Sequence, residues 1–409
     1  MKTVCPLVLL AILIANTAQA GGLFLNELGD FSGGRANAGA VAGTDDAGGL
    51  MHNPANGAAL EGSQLFASAG VLIPSIKFDI EDASPDAGDN DGGDAGVLTP
   101  VGSLAYRHDV QSDKWSLGIT LSPLAGSGLD YDQNWVGRYQ VTEVSLLVLA
   151  LAPTVALQIT DRLAIGIAPQ FYYADLELDL KVPSFLGPLE EDNDATLDGD
   201  DTGFGALLGA TYQLTNETRL GLTWQSELDI NFSGNLDIRS GNFPGVSAGA
   251  ETDTKLTLPQ RARLGLNHHF SDLLMLSLTL GWEQWSSLDN VFVSVDTAGG
   301  AALDRNWDDT WHYAAGFQYQ VNRDWDMTAG VAYDTNPVDA TDRTADMPVD
   351  RQVRFNAGTR YRHSDSLTFG GYINYTDLGT ARIRNDFFSG DYDGENEFYT
   401  VSLYLNWLL

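Results

Sequence analysis

The pattern of hydrophobic and polar positions along this chain repeats every two residues over most of its length. In the C-terminal stretch "YTVSLYLNWLL" (399–409) every second residue is apolar or aromatic, and the residues between them are mostly polar. The side chains of a β-strand point alternately to its two faces, so this pattern indicates a strand with a different environment on each side. The stretches "TRLGLTWQSELDINF" (218–232) and "KLTLPQRARLGLNHHF" (255–270) repeat it, and we interpret the apolar positions of each as one continuous face.

Counting such segments predicts about fourteen strands. They cover approximately 64–80, 97–108, 114–123, 140–159, 163–180, 202–214, 217–235, 253–269, 273–287, 308–320, 325–336, 350–363, 366–383 and 395–409. Short turns such as "TDR" and "FSDL" alternate with long, acidic, Gly-rich loops. This alternation is typical of an outer-membrane β-barrel, which has short periplasmic turns and long outer loops.

The predicted fold class is therefore all-β, a transmembrane antiparallel barrel with lipid on its apolar face and a lumen on its polar face. Strands can cross lipid only when their sheet closes on itself, because lipid offers no partner to an open edge. A soluble β-sandwich or propeller is disfavoured, since the polar faces carry both signs of charge at mid-strand, as a polar lumen would. Aromatic residues near strand ends suit interfacial girdles. They are Trp115, Tyr131, Trp135, Trp224, Trp282, Trp311, Trp325 and Trp407.

The N-terminus predicts export from the cytoplasm. Residues 1–20 combine a cation at Lys2, an apolar stretch and the small-residue sequence "AQA", which together indicate a removable signal peptide. The alternative, a retained membrane helix, is disfavoured because the apolar stretch is shorter than the roughly 18 to 20 residues of a span. The only cysteine, Cys5, lies in this segment, so the chain after it has no thiol for a disulfide or a metal site.

The charge distribution excludes one class of partner. The formal net charge is −33, and nucleic-acid binding needs clustered cations. The acidic residues concentrate in stretches such as "LEEDNDATLDGDD" (189–201), which we interpret as solvated loops. The stretch "DAGDNDGGD" (86–94) leaves a calcium site as an alternative, although its spacing does not fit an EF-hand loop.

Residues 21–62 predict a separate element ahead of the barrel, which would comprise residues 63–409. The segment is rich in Gly and Ala and has no strand alternation, yet it contains apolar residues that are costly to expose, among them Phe24 and Leu50. A barrel of about fourteen strands encloses a lumen too wide for its own side chains to fill. We predict that the segment folds into the lumen as a hatch. The alternative is a disordered tail.

Several stretches of this chain resemble a known family, the FadL-type outer-membrane transporters of long-chain fatty acids and of hydrophobic aromatics such as toluene. The likeness covers nearly the whole chain after the signal peptide. Its motifs are "LNE" (25–27), "GRA" (34–36), "DDAG" (45–48), "NPA" (53–55), "NWVGRY" (134–139), "LTLPQRARLGL" (256–266), "WEQWS" (282–286) and "GVAYDTNPVDATDR" (330–343). The resemblance implies a fourteen-stranded barrel with an N-terminal hatch, an apolar pocket near the outside and a gap at a kinked third strand.

The same resemblance assigns residues of this chain to these features. The hatch motif is Asn53, Pro54 and Ala55. In the third strand, "KWSLGITLSPLAGSG", Gly118 and Pro123 are the residues that could interrupt a ladder, because Pro lacks a donor and Gly weakens pairing. The alternative for Pro123 is that it merely ends the strand at the membrane edge.

The charge of the ligand stays open at this point. A fatty-acid carboxylate removed from water needs a cation, but segments where the family suggests one, such as "FYYADLELDL" (171–180), are acidic here. The candidate cations are Arg138, Arg261, Arg263 and Arg354. Otherwise the ligand is uncharged, or these arginines form a structural ladder with Glu227 and Glu283.

The leading hypothesis is a channel for passive uptake of long-chain fatty acids or related hydrophobic compounds, working by capture in a lumen pocket, hatch movement and lateral exit. The alternatives are an aromatic or alkane channel of the same family, a general porin, and an adhesin that uses the acidic loops. No catalytic motif is present, and we predict neither enzymatic activity nor a cofactor or metal. The expected partners are a hydrophobic ligand, outer-membrane lipid and lipopolysaccharide, and the barrel-assembly machinery, with a monomeric chain.

Overall fold

A computed structural model describes residues 23–112, 114–183, 192–239, 250–288, 290–295 and 299–409. The predicted signal peptide at 1–20 lies outside this range. Within these residues, no helix is long and apolar enough to cross a membrane. The structure consists mainly of strands, preceded by short helical turns in the N-terminal segment.

The strands are numbered in chain order. They are β1 (Gln64–Ile76), β2 (Asp79–Ala83), β3 (Thr99–His108), β4 (Trp115–Asp130), β5 (Glu143–Thr160), β6 (Leu163–Val182), β7 (Asn193–Gln213), β8 (Thr218–Gln225), β9 (Leu228–Arg239), β10 (Ala250–Leu258), β11 (Arg261–Ser271), β12 (Leu274–Glu283), β13 (Asn290–Val295), β14 (Gly299–Asp304), β15 (Thr310–Gln320), β16 (Trp325–Asp334), β17 (Gln352–Arg362), β18 (Leu367–Asp377), β19 (Ile383–Arg384), β20 (Phe388–Asp391) and β21 (Asn396–Leu408). One α-helical turn, Gly49–His52, and 3₁₀ turns at Phe31–Arg35, Ala40–Ala42, Pro54–Ala59 and Trp285–Ser287 complete the secondary structure.

The main sheet closes into an antiparallel barrel. Eighteen strand segments form one sheet. In it, β1 pairs with both β3 and the last strand, β21, so the first and last spans meet and the sheet has no open edge. Four crossings consist of two consecutive segments each, namely β8 with β9, β10 with β11, β12 with β13, and β14 with β15, which leaves fourteen spans. The prediction of a fourteen-stranded barrel is confirmed.

The two faces of the C-terminal strand show which environment each side meets. In β21, Leu403 is 68% exposed and Val401 43%, whereas Thr400 and Ser402 are buried. The apolar side chains therefore point outward, where lipid lies, and the polar ones point into the barrel. The sheet end with the short turns is called the turn end below, and the opposite end the loop end.

The interpretation of one continuous apolar face is wrong for the seventh and eighth spans. In β8, Leu222 is 54% exposed and points outward, but in β9, Leu228 and Ile230 are buried and point inward. The cause is residues 226–227, which interrupt the strand and shift its two-residue period. Pro259 and Gln260 do the same between β10 and β11: Leu258 is buried, whereas Leu264 is 47% exposed.

On the loop-end side of these interruptions, β9 and β10 are polar outside and apolar inside. The outward positions of β9 and β10 include Asp229, Asn231 and Asp253, all of them exposed. The acidic stretch 193–201, which we expected to be a loop, is part of β7 and pairs with β6, where Asp200 lies opposite Asp175. A strand tolerates outward carboxylates once it has left the lipid for water, so acidity did not prevent strand formation here.

Two of the predicted girdle aromatics lie elsewhere. Trp115, Trp311 and Trp407 are 44–48% exposed and point outward as expected. Tyr131 and Trp135 are buried and stack with ring centroids 3.9 Å apart in a separate cluster at the loop end. This cluster packs on a small sheet formed by β2, β20 and β19, which caps that end of the barrel.

The N-terminal segment, residues 23–60, contacts inward-facing groups from many spans. The amide of Gly39 donates to Thr279 Oγ1 at 2.8 Å, and Asn356 Nδ2 donates to Gly33 O at 2.7 Å. Small residues make this approach close: a Cβ built on Gly330 would lie 2.4 Å from the backbone of Arg35. The segment therefore packs directly on the backbone of the barrel wall.

The shift of period in the seventh span predicts a specific labelling pattern. Because Cys5 is the only native cysteine and precedes the barrel, single cysteines can be placed without background. In purified protein we expect Asn231→Cys to react rapidly with a polar maleimide and Ile230→Cys to react much more slowly. Asp253→Cys, exposed on the neighbouring strand, is the positive control. Faster reaction at 230 than at 231 would contradict the inward orientation of Ile230.

Candidate ligand chamber and lateral opening

Apolar side chains line the loop end of the lumen and form one buried cluster, called the chamber. Inward positions of β5, β6, β9 and β10 supply its wall, and the first described residues of the N-terminal segment enter it. Its members are Leu23, Phe24, Leu124, Ala125, Leu146, Val148, Ala150, Tyr172, Ala174, Leu228, Ile230, Phe232, Leu256, Leu258, Trp285, Leu288, Trp307, Val338, Met347 and Val349. An aromatic row crosses it, with Phe24 5.3 Å from Trp285 and Trp285 5.2 Å from Trp307.

Two of the candidate arginines lie at the turn-end side of the chamber. The guanidinium of Arg261 stacks on the ring of Phe24 at 4.3 Å, and its Nε donates to Gln225 Oε1 at 2.8 Å. Arg263 donates from Nη2 to Asn26 Oδ1 at 2.9 Å and to Glu283 Oε1 at 3.2 Å. Among the described residues, Arg261 Nη1 and Arg263 Nε find no hydrogen-bond partner.

The alternative of a structural ladder with Glu227 and Glu283 fits Arg263 better than Arg261. Arg263 pairs with Glu283, whose other oxygen accepts from Trp285 Nε1 at 3.0 Å, so this ion pair is also tied to the chamber wall. Glu227 is exposed, away from the lumen arginines. Arg263 thus has a carboxylate partner, whereas Arg261 forms no salt bridge with any residue that the structure describes.

Arg354 lies in a buried charge network between the wall and the N-terminal segment. Its two terminal nitrogens donate to Asp334 and Gln352, and Asp334 also contacts His312 Nδ1 at 2.8 Å. Glu27 of the N-terminal segment lies 3.9 Å away. Since a buried charge without a partner is costly, this network ties the segment to β16 and β17.

Arg138 lies apart from the other three arginines, in the connection between β4 and β5. It forms an ion pair with Asp192 at 2.9 Å and donates to the carbonyl oxygens of Asp86, Ala87 and Trp135. All of its nitrogens are used in holding loops together. The structure thus places Arg138 in the loop scaffold and brings only Arg261 and Arg263 to the chamber.

The strand pairing in the wall is interrupted beside Pro123. The ladder between β3 and β4 ends at the pair Leu104 and Leu121, and from there to the loop end the described residues of the two strands do not pair. The ladder between β4 and β5 continues to Asp130, with a bulge at Leu124. The residues 122–129 are all buried, which shows that this part of β4 turns into the barrel.

The N-terminal segment supplies the hydrogen bonds that β3 no longer provides. Leu25 N donates to Leu124 O and Gly126 N donates to Leu23 O, both at 3.0 Å, and Phe24 bridges to Ala125. Gly118 lies within the ladder and pairs with both Arg107 and Thr154. The interruption of the third span therefore coincides with Pro123 and the bulge, while Gly118 gives room to Leu50 of the N-terminal segment.

The motif Asn53, Pro54 and Ala55 fixes the N-terminal segment against the wall. The Asn53 side chain caps the turn by accepting from Ala55 N at 2.9 Å. Its amide donates to Val41 O at 2.7 Å and to Ala210 O of β7 at 3.1 Å. Ala55 packs against Gly166, where an added Cβ would lie 2.4 Å from its backbone nitrogen. One side chain thus joins two parts of the segment to the barrel.

A long connection between β16 and β17 roofs the chamber. Val338, Met347 and Val349 belong to the chamber cluster. A buried ion pair holds this connection to the residue that follows β14, with Arg305 Nη2 2.6 Å from Asp346 Oδ2. This salt bridge holds the roof together with apolar contacts and with hydrogen bonds such as that from Asn306 Nδ2 to Asp342 Oδ1 at 2.7 Å.

Sequence reasoning missed the residues that form the chamber. The sequence analysis places Phe24 in the hatch without a ligand role, gives Trp285 no role of its own, and puts the inward leucines of β9 and β10 on the face toward lipid. A signal was available in the spacing: inward positions on either side of 226–227 are three residues apart, not two. Pro259 in the neighbouring span was a second indication that the period is interrupted there.

Comparison with known proteins gives a consistent result. Residues 11–398 match the family described as "Outer membrane protein transport protein (OMPP1/FadL/TodX)". The long-chain fatty acid transport protein of Escherichia coli O6:H1 is 25% identical over 393 residues, which cover 87% of this chain and 86% of that protein.

Two solved structures share the fold. A FadL homologue of Pseudomonas aeruginosa aligns with a TM-score of 0.85 at 19% identity, covering 95% of this chain and 99% of that one. The toluene transporter TodX of Pseudomonas putida aligns with a TM-score of 0.72 at 19% identity, covering 95% of this chain and all of the other (100%). At this level of identity the likeness concerns the fold alone.

The roof salt bridge predicts a response to acid. Burial raises the pKa of Asp346, but the charge of Arg305 and hydrogen bonds from Arg305 and Thr344 outweigh it and hold that pKa below 3.8. A carboxyl with a lowered folded-state pKa stabilises the fold above its unfolded pKa, and this stabilisation is lost as the pH falls through the folded value. Below about pH 4 we therefore expect faster hydrogen exchange in residues 336–350.

The matched variants separate this salt bridge from general acid effects. Asp346→Asn should exchange faster already at pH 7 and show no further acid step, whereas Asp339→Asn, at an exposed position of the same connection, should behave like the wild type. An acid step of equal size in Asp346→Asn would contradict the role of this carboxyl.

Proposed function

The chain belongs to the OMPP1/FadL/TodX family of outer-membrane transport proteins, and from this premise we propose that it takes up long-chain fatty acids or related hydrophobic compounds by passive transport. The observation that carries the proposal is the apolar chamber, which adjoins an interrupted ladder in the barrel wall. A ligand of this class gains free energy whenever it leaves water for an apolar surface, so transport needs no energy source.

The proposed route has four steps. A ligand is captured at the extracellular loop end and enters the chamber, where it competes with Phe24 for contacts with Trp285 and the leucines of β9 and β10. Displacement of Phe24 releases the residues that bond to Leu124 and Gly126 of β4. The opening beside Pro123 then leads the ligand sideways into the membrane.

Arg261 favours a ligand with an acidic head group. Its Nη1 is buried at the chamber and has no partner among the described residues, and a carboxylate would supply one. The alternative ligand, an aromatic hydrocarbon or an alkane, would use the same chamber and leave this donor unused. A protein named a toluene transporter shares the fold, so an uncharged hydrocarbon is the alternative ligand to be tested.

We also propose that residues 21–62 act as a hatch that closes the lumen. Buried contacts to β7, β12 and β17 support this role, because an unanchored tail would not hold them. All fourteen spans come from one chain, which supports a monomer. Lipid and lipopolysaccharide are the proposed surroundings, and the barrel-assembly machinery is the proposed insertion partner.

The hatch is tested by removing the side chain of Asn53. Asn53→Ala deletes a cap and two further hydrogen bonds and should destabilise docking of the segment by about 2 kcal/mol. We expect ion currents in planar bilayers to become larger and more frequent. Asn216→Ala, in an exposed turn, is the control and should resemble the wild type. Large steady currents from the wild type would overturn the hatch and favour a general porin.

The lateral exit is tested by filling the wall beside it. Ala152 is buried on β5 and lines the cavity that also touches Pro123. In cells that lack another fatty-acid transporter, the wild type should restore palmitate uptake and Ala152→Trp should not, while detergent-extracted Ala152→Trp still binds the ligand. Ala329→Trp, on the lipid-facing side of β16, is the control. Normal uptake by a correctly folded Ala152→Trp would exclude exit at this place.

A further inference from the structure

Three buried polar side chains line one small cavity beside the lateral opening. Gln170 and Gln225 are only 4% and 2% exposed. In the part of the chain that the structure describes, Gln170 Oε1, Gln225 Nε2 and Arg261 Nη1 make no hydrogen bond. All three side chains line the same cavity, of about 20 Å³, together with Ser122 and Pro123 of β4. Buried polar groups are nearly always bonded, so three unbonded atoms at one place leave capacity for a polar ligand.

The donors and acceptors of this cavity define what it can bind. Arg261 Nε donates to Gln225 Oε1 at 2.8 Å, which fixes the amide of Gln225 with its Nε2 as the remaining donor. Arg261 Nη1 is a second donor. The amide of Gln170 can turn, so it accepts from a hydroxyl or donates to a carboxylate. A cavity of this size holds about one oxygen atom at a time. Its polar atoms can bond an oxygen of a carboxyl head group, whereas they form no hydrogen bond with a hydrocarbon.

The polar groups follow a line across the inner wall. The strand register places Arg261 opposite Gln225, Gln225 opposite Leu207, and Gln170 opposite Gly205 on the same strand as Leu207. Between Gln170 and the opening the wall is made of small side chains on β5 and β6. They are Ala150, Ala152 and Ala168, which line the same cavity. The line therefore runs from the chamber to β4 along a wall of small side chains.

We propose that Gln225 and Gln170 form a head-group relay that passes the carboxyl end of a fatty acid from Arg261 to the opening beside Pro123. The relay rests on the transport function proposed above and adds the ligand class and two residues to it. A carboxyl group that leaves Arg261 for the membrane must give up its hydrogen bonds, and this is costly in an apolar wall. Gln225 and Gln170 offer replacement bonds in sequence, so that the head group is satisfied at each step.

The relay distinguishes two ligands that differ only at one end. Cells that express Gln170→Leu or Gln225→Leu should take up palmitate about tenfold more slowly than the wild type, because the head group loses a buried hydrogen bond on its path. Uptake of hexadecane should stay within about twofold of the wild type, because the relay makes no bond to it. Retained hexadecane uptake also shows that the variant barrel is folded. Gln158→Leu, near the turn between β5 and β6, is the matched control.

Each other result counts against the relay. Palmitate uptake at the wild-type rate in both variants would show that the three atoms serve only to hold water, and would overturn it. Equal loss of palmitate and hexadecane uptake would overturn it as well. The variants Gln170→Met and Gln225→Met keep an unbranched side chain and check that such a loss of uptake is not a packing defect. Wild-type cells that take up neither ligand would overturn the transport function itself, which separates its failure from that of the relay alone.

Discussion

The two-residue period of a strand is the constraint on which this structure depends. In a barrel wall it divides every strand into a lipid face and a lumen face, and a shift by one residue exchanges them. The chain makes use of this exchange in two adjacent spans, at 226–227 and at 259–260. On the turn-end side of these breaks leucines meet lipid, and on the loop-end side leucines meet the chamber. The same amino acid thus serves two apolar environments on opposite sides of one sheet.

The exchange of the two strand faces is useful because several strands are longer than the bilayer requires. A tilted strand needs roughly 9–11 residues to cross a bilayer, whereas β6 and β7 have 20 and 21. The additional length rises into water, where an outward apolar face would be a liability and outward carboxylates are favourable. The chamber therefore lies in the part of the barrel that has left the membrane. On the proposed route, an apolar ligand reaches it from water and leaves it through a wall that still borders lipid.

The sequence predicted the number and position of the spans well, because alternation and short turns are local signals. It could not assign the environment of Leu228, Ile230 and Phe232, since alternation looks the same whether the apolar face meets lipid or a chamber. The sequence could not predict the role of Arg138 either, because no local pattern identifies the carbonyl oxygens that a loop arginine will bind. Pro123 was recognised as a residue that interrupts pairing. That Leu23 and Leu25 take over the lost bonds depends on contacts across the lumen, which no local pattern records.

The contacts of the N-terminal segment also bear on biogenesis. Residues 23–60 are synthesised before any strand, yet their partners include Ala210 on β7, Thr279 on β12 and Asn356 on β17. None of these sites exists until most hairpins have paired. Complete docking of the segment is thus a late event of assembly. The proposed hatch therefore takes its place only after the wall that it contacts has formed.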